Sequence, residues 1–160
     1  MKRSTYLTPL SWEHHAALVN ANRVKRGLEM GADTQIIRNF INYVWETDLQ
    51  SHFDREESVL AAADDWQKVD EPLRDHMMSD HREFEILAGL IKEETDTSEL
   101  RNAMSRFAAL LETHVRFEER ELFPAIEEVY DKTTLEQAGR ELKERHIPGC
   151  LVWKPEFWKK

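Results

Sequence analysis

The chain has 160 residues, of which 41% are hydrophobic and 33% charged, and its formal net charge is −9. That composition is too apolar for a disordered chain, and the sequence has no apolar run long enough to cross a membrane. The negative net charge disfavours a nucleic acid as partner, because it repels the phosphate backbone. The single cysteine, Cys150, excludes an internal disulfide and a cysteine-rich zinc or iron–sulfur site held by this chain alone.

Five helices are predicted, because glycine and proline are rare and apolar residues recur at every third or fourth position. Their expected ranges in chain order are about 8–27, 33–63, 71–91, 97–129 and 133–146. Thr8-Pro9 is a good start signal for the first helix, and Thr97 or Ser98 for the fourth. Pro124 lies within the fourth helix, where we expect a kink or a local break.

Four long amphipathic helices joined by short connections predict an all-α fold, an antiparallel up-down four-helix bundle over about residues 8–130. A short additional C-terminal helix and a tail follow over about 131–160, and the whole chain, 1–160, is expected to form a single domain. The tail contains the aromatic residues Trp153, Phe157 and Trp158. We expect these rings to pack against the bundle; the alternative is that they join two copies into a homo-oligomer.

A weak internal repeat is the most informative feature of the sequence. Residues 52–57 of the second helix, HFDREE, correspond to residues 114–119 of the fourth, HVRFEE. Each copy follows a helix with a further candidate histidine, His81 for the second copy and His14 or His15 for the first. His14 is favoured because it lies on the apolar stripe of its helix, whereas His15 lies about 100° away around the axis. The chain therefore consists of two helix pairs that each supply one histidine and then one His-x-x-x-Glu motif.

This arrangement favours a metal site. Residues four positions apart lie on one helix face, so the histidine and the glutamate of each motif can bind one metal together, or the glutamate can bridge two. A carboxylate directed into an apolar bundle is costly unless it is paired or coordinates a metal. The candidate ligands are His14, His52, Glu56, His81, His114 and Glu118. This mixture suits iron or manganese better than one tetrahedral zinc ion. In the alternative interpretation, the histidines are hydrogen-bonded core residues of a purely structural bundle.

Over about residues 7–130 the sequence resembles the hemerythrin-like, or HHE cation-binding, family. The motifs that carry the resemblance are Glu13-His14, His52-x-x-x-Glu56-Glu57, Asp80-His81-x-x-Phe84 and His114-x-x-x-Glu118-Glu119 followed by Leu122-Phe123-Pro124. The resemblance implies a non-haem di-iron centre, in which the four histidines are terminal ligands of two iron ions and Glu56 and Glu118 are bridging carboxylates. We expect an oxo or hydroxo bridge in its oxidised form. Family members bind or sense oxygen, sense iron, detoxify nitric oxide or peroxide, or help to repair iron–sulfur centres.

Two positions depart from the oxygen-carrying members of that family. Those carriers have a second histidine one turn before the position of His81, and this chain has Met77 there. The neighbouring His76 cannot replace it, because it lies about 100° from Met77 around the helix axis. They also use an aspartate five residues after the last histidine, where this chain has Glu119, so Glu118 and Glu119 both remain candidates for the ligand. The metal ions would therefore have more open coordination positions than in the oxygen carriers, which favours reaction with a bound molecule over reversible binding of oxygen.

We therefore expect a non-haem di-iron protein that binds or reacts with oxygen or a related small diatomic molecule, as a sensor or in the handling of iron and oxidative stress. The alternative is an iron storage or donor protein that assists the repair of iron–sulfur centres, although this sequence shows no cysteine-bearing N-terminal segment of the kind such relatives carry. The pattern leaves enzymatic activity open, with binding favoured, and assigns no role to His76 or His146. Without a signal-peptide pattern, a cytoplasmic location is expected.

Overall fold

The computed structural model describes residues 4–160, and all regular secondary structure in that range is helical, without a strand. Five helices, α1 to α5, cover Thr8–Glu29, 34–61, Glu71–Glu93, 97–129 and Lys132–Glu144. A short 3₁₀ turn, Asp64–Lys68, connects α2 to α3. The predicted all-α bundle is confirmed, whereas the antiparallel up-down order of its four long helices remains a prediction. Within the described residues, no helix combines the length and the apolar character needed to cross a membrane.

Helix α1 is longer than its sequence pattern predicted. It begins at Thr8, has Pro9 in its first turn and continues to Glu29, so that Gly27, the predicted last residue, lies inside it. The turn that follows contains Gly31 with a φ of 71°, the left-handed conformation that glycine adopts at little cost. The helix therefore continues past the first glycine, Gly27, and ends just before the second, Gly31.

Aspartate side chains cap helices α2 and α4. Asp33 accepts hydrogen bonds from two backbone N–H groups in the first turn of α2. Asp96 accepts one from the N–H of Glu99, so the predicted start signal at Thr97 or Ser98 was wrong by one or two positions. A carboxylate is a strong cap because it also complements the positive end of the helix dipole.

Helices α2 and α4 contain π-helical segments, which are frequent at functional sites. Those of α2 are Trp45–Leu49 and Glu56–Ala61, and that of α4 is Glu118–Leu122. Glu56 and Glu118, which correspond in the internal repeat, are each the first residue of such a segment. Pro124 lies just after the segment in α4, so the disturbance predicted there takes the form of altered helical winding, and the helix then continues.

Two clusters of buried apolar side chains fill the bundle. On α1, Leu10 belongs to one cluster and Ala17 to the other, and the buried His14 lies between them along the helix. The same order, one cluster, then buried polar residues, then the other cluster, is found along α2, α3 and α4. A polar layer thus crosses the bundle between two apolar regions that exclude water from it.

The C-terminal tail packs against the bundle, as expected. Phe157 and Trp158 are buried, and the ring centroids of Phe157 and Phe40 are 5.2 Å apart. Gly27 leaves room for this contact, since a Cβ atom there would lie 2.5 Å from Cδ2 of Phe157. Association of two copies through the tail remains a prediction.

Candidate metal centre

The six predicted ligands converge in the polar layer and form two overlapping groups. The first contains His14, His52, Glu56 and Glu118, and the second contains Glu56, His81, His114 and Glu118. In each group, one potential ligand atom per residue lies within 4.8 Å of all the others. All six residues are at most 4% exposed, whereas His15, the alternative to His14, is exposed.

The two carboxylates each lie between histidines of both groups. Oε1 of Glu56 is 3.3 Å from Nε2 of His52 in the first group and 3.3 Å from Nε2 of His81 in the second. Oε1 of Glu118 lies 3.0 and 3.2 Å from the Nε2 atoms of the remaining two histidines, one from each group. This geometry suits carboxylates shared between two adjacent cations.

A second carboxylate bonds each imidazole from its other side. These contacts join Nδ1 of His14 to Glu119 at 3.0 Å, of His52 to Glu13 at 2.7 Å, of His81 to Glu57 at 2.8 Å and of His114 to Asp80 at 2.9 Å. A carboxylate can only accept, so Nδ1 donates the proton. The lone pair of each neutral ring is then on Nε2, which faces the centre, as a metal ligand requires.

These four outer carboxylates follow the internal repeat. The acid before each lone histidine, Glu13 or Asp80, bonds the histidine of the His-x-x-x-Glu motif in its own helix pair. The acid after each motif glutamate, Glu57 or Glu119, bonds the lone histidine of the other pair. The sequence left Glu119 open as an alternative ligand to Glu118, and it did not predict that any of these four carboxylates bonds a histidine; the structure places Glu118 in both groups and Glu119 on Nδ1 of His14. The recurrence of the four carboxylates at matching positions in both copies was the available signal.

Without a metal, the two central carboxylates ionise very differently. Burial raises the pKa of Glu56 well above its usual range, and the negative charge of Glu118 raises it further. Burial also acts to raise the pKa of Glu118, but the charge of His114 and the hydrogen bond with His14 outweigh it and hold that pKa well below its usual range. Without a metal, the site therefore favours the neutral form of Glu56 and the ionised form of Glu118, and a cation between them would take the place of the proton.

The imidazoles also differ in pKa. Burial lowers the pKa of His52 to about 4, so this ring is neutral at pH 7 and has a free lone pair. For His114 burial also acts to lower the pKa, but the charge of Glu118 and the hydrogen bond with Asp80 raise it to about 9. Metal binding is therefore expected to release a proton from His114 as well as from Glu56.

The donor set fits a metal because several of its buried atoms make no well-aligned hydrogen bond within residues 4–160, although some of them lie 3.2–3.3 Å from one another across the centre. They are Nε2 of His52, His81 and His114, both carboxylate oxygens of Glu56, and Oε2 of Glu118. An unsatisfied buried polar atom costs roughly 1–3 kcal/mol. Cations held among these atoms would satisfy them together, whereas the purely structural interpretation leaves them unexplained.

A small cavity adjoins the centre on the side of His14 and His52. Its volume is about 20 Å³, enough for one water-sized molecule. Its apolar lining includes Val44, Leu49, Phe53 and Leu111. We call it the ligand chamber, because it gives a small molecule a place beside the candidate ligands.

Three further residues of the sequence analysis lie outside both groups. Met77 is fully buried in the apolar cluster of Leu10. Nε2 of His76 lies 3.2 Å from Asp80, and Nδ1 of His146 lies 2.7 Å from Glu13. These two histidines therefore contact the carboxylates that orient candidate ligands. They do not belong to the cage, the name used below for the six residues of the two groups together.

A bundle with buried histidines and carboxylates in a ligand arrangement belongs to the class of helical metal-binding proteins. The model of the Hemerythrin HHE cation binding domain matches residues 10–126, with a further match over residues 73–146. The first match spans most of the chain, so this protein belongs to the hemerythrin HHE cation-binding family, and the predicted resemblance is confirmed. No curated protein and no solved structure matches the chain.

Proposed function

We propose that this protein holds two iron ions, one in each group of the cage, and binds or reacts with a small neutral molecule such as oxygen or nitric oxide. The observation that carries this proposal is that Glu56 and Glu118 each belong to both groups. One cation would leave two of the four buried histidines uncoordinated at Nε2, whereas two adjacent cations use every member of the cage. Mixed imidazole and carboxylate ligands favour iron.

The protein's own groups would control the chemistry. Bound iron would supply electrons and open coordination positions for the small molecule. The outer carboxylates fix the orientation of the imidazoles and keep Nδ1 protonated. The apolar lining of the ligand chamber favours a neutral molecule over a charged one, because a charge would lose its hydration there.

An iron storage or donor role has less support. The candidate ligands are at most 4% exposed, so iron must pass through the packed bundle in order to be exchanged. A closed cage also holds a fixed number of ions, whereas a store needs room for many. Binding of a small molecule at a retained metal centre is therefore the function that the structure supports better than iron storage or donation.

Metal analysis of untagged protein, followed by rapid mixing, tests the proposal. Apoprotein loaded anaerobically with ferrous iron is expected to hold two ions per chain, one for each group, and to change its optical spectrum with oxygen or nitric oxide. One ion per chain or fewer contradicts the paired site. Two retained ions without a spectral response contradict the ligand-binding function and favour the storage or donor role.

A matched pair of variants shows whether bound iron lies in this cage. Glu118→Gln removes a central charge and is expected to lose iron. Glu121→Gln changes an exposed carboxylate of the same π-helical segment, so it is expected to retain both ions. Equal iron content in the two variants would place the metal elsewhere.

A further inference from the structure

The segment that follows α5, residues 146–150, lies across the ligand chamber, and we call it the C-terminal strap. Ile147 and Gly149 of the strap line the chamber together with His14 and His52. The bundle alone therefore does not close this cavity. Part of its wall comes from irregular chain beyond the last helix.

Polar contacts fasten the strap to α1 and α2. The N–H of Cys150 donates to Oδ2 of Asp48 at 2.7 Å, and its carbonyl oxygen accepts from Nδ2 of Asn20 at 2.8 Å. At the other end of the strap, His146 lies within hydrogen-bond distance of Glu13. These contacts explain Asp48, a polar residue on an otherwise apolar helix face.

The chain beyond the strap is anchored as well. Phe157 and Trp158 are buried against the bundle, and the guanidinium of Arg23 lies 4.2 Å from the centre of the Trp158 ring. The strap is thus held at both ends, by α5 on one side and by the buried rings of Phe157 and Trp158 on the other. This favours a strap that stays in place as part of the chamber wall.

Gly149 sets how closely the strap approaches α1. A Cβ atom at this position would lie 2.2 Å from Cβ of Ala16, far closer than two carbon atoms that are not bonded to each other can approach. Ala16 is itself buried on α1. Any side chain at position 149 would therefore push the strap away from the bundle and enlarge the chamber.

We propose that the C-terminal strap is the size-determining wall of the ligand chamber, and that the contact of Gly149 with Ala16 limits the ligands of the metal centre to molecules of two or three atoms. This proposal rests on the proposed function, because the ligand is one that binds at the centre. In this proposal, residues outside the metal cage determine how large a molecule can reach the metal centre.

A compensating pair of substitutions tests the proposal. Gly149→Ala adds the clashing methyl group, and Ala16→Gly removes the atom with which it clashes, so the double variant restores the fit. Gly89→Ala is the matched control, since a Cβ at this helical glycine meets no atom within 4 Å. Asp48→Ala is a second way to release the strap, because it removes the acceptor of the Cys150 N–H without adding volume.

Cys150 reports the position of the strap without any metal. Burial raises the pKa of its thiol, and the charge of Asp48 raises it further. Displacement of the strap exposes the thiol and separates it from that charge, so the thiolate forms more readily. Modification of apoprotein by iodoacetamide is expected to be about tenfold faster in Gly149→Ala and in Asp48→Ala, and unchanged in Gly89→Ala.

Two probes of different size report ligand selection in the diferric protein. Azide has three atoms and enters the chamber as neutral hydrazoic acid, so it is expected to give a charge-transfer band in all of the folded variants at slightly acidic pH. Phenol, whose ferric complexes are coloured, is expected to bind only where the strap is displaced, in Gly149→Ala and Asp48→Ala. The double variant is expected to exclude phenol again and to return to the wild-type rate of thiol modification.

The outcomes separate this proposal from the proposed function. If wild-type protein binds azide but Gly149→Ala and Asp48→Ala still exclude phenol although their thiols react faster, the strap moves without selecting ligands and the proposal is wrong. Binding of phenol by wild-type protein, or no recovery in the double variant, overturns it as well. If the iron-loaded protein and all its variants respond neither to azide nor to nitric oxide, the proposed function fails, and ligand selection fails with it.

Discussion

Oε1 of Glu13 lies 2.7 Å from Nδ1 of His52 on another helix, although Glu13 is the sequence neighbour of His14. Adjacent residues of a helix point about 100° apart, so Glu13 faces the second helix and not the ring beside it. Asp80 bonds His114 in the same way in the other half of the protein. Each helix pair is thus connected internally through the histidine of its His-x-x-x-Glu motif.

The outer carboxylates are expected to control iron affinity. Glu57→Gln should weaken iron binding by roughly 10–100-fold, because His81 loses the charged acceptor that fixes its ring. Glu119→Gln should do the same through His14. Competition with a coloured chelator measures the effect, and Glu121→Gln is the control because its carboxylate is exposed. Unchanged affinity in both test variants would mean that these hydrogen bonds do not hold the ligands.

The adjacent histidines of α1 give a second prediction. His14→Ala should lose about one of the two ions, because His14 belongs to the first group, while His15→Ala should retain both because His15 is exposed. Iron content per chain after gel filtration measures the difference. The opposite result would mean that α1 is rotated by one residue relative to the bundle.

The sequence predicted the helices and the six converging residues because both depend on periodicity. Apolar spacing defines one face of each helix, and the repeated His-x-x-x-Glu motif places its ligands on that face. His14 was preferred over His15 by the same argument, and the structure places His14 in the cage. Periodicity does not define helix ends, which explains why the cap of α4 was assigned to Thr97 or Ser98 and not to Asp96.

Features that depend on tertiary contacts were not predicted. The partner of each outer carboxylate lies on another helix, so its identity requires the relative rotation of two helices. The π-helical segments have no simple sequence signal: one lies next to Pro124, but its counterpart beginning at Glu56 contains no proline. The strap has no periodic pattern, so the sequence alone does not show that Gly149 contacts α1 or that Asp48 accepts a hydrogen bond from the strap.

Iron should stabilise the fold. Protein with free iron at about 100 times the dissociation constant gains about 2.7 kcal/mol if only the folded chain binds it. For a domain of this size, that gain corresponds to a melting temperature roughly 5–10 °C higher. Calorimetry of apo and iron-loaded protein at the same pH measures it. Equal melting temperatures would contradict a site formed only in the folded chain.

The apoprotein should be most stable near pH 6.5, the ordinary pKa of histidine. His52 has a folded-state pKa of about 4, so between pH 6.5 and 4 the unfolded chain binds a proton that the folded chain does not, and acid lowers stability by roughly 2–3 kcal/mol. The pKa of His114 is raised to about 9 in the folded chain. Its contribution to the free energy of unfolding is therefore fully present below pH 6.5 and is lost as the pH rises through 9.

Urea denaturation of apoprotein at a series of pH values measures both effects. His52→Gln should flatten the acid limb, whereas His15→Gln, at an exposed position, should leave it unchanged. An acid limb equally steep in both variants would show that His52 is not its source.

Met77 provides the last prediction. It lies one turn before His81 and is fully buried among apolar side chains, so Met77→His places an imidazole where a polar group has little chance of a partner. The apo variant should lose about 1–3 kcal/mol of stability. If the new ring reaches the second group of the cage, iron should restore that loss and also slow the oxidation of the ferrous protein by air, since one open coordination position is filled.

Met78→His is the matched control, because Met78 points about 100° away around the same helix and is only partly buried. Melting temperatures with and without iron, together with the rate of oxidation by air, distinguish the two variants. Recovery by iron in Met77→His alone would show that this position faces the metal. A stability loss that iron does not recover would show that position 77 belongs to the apolar core, and that methionine there does not determine how the centre reacts with oxygen.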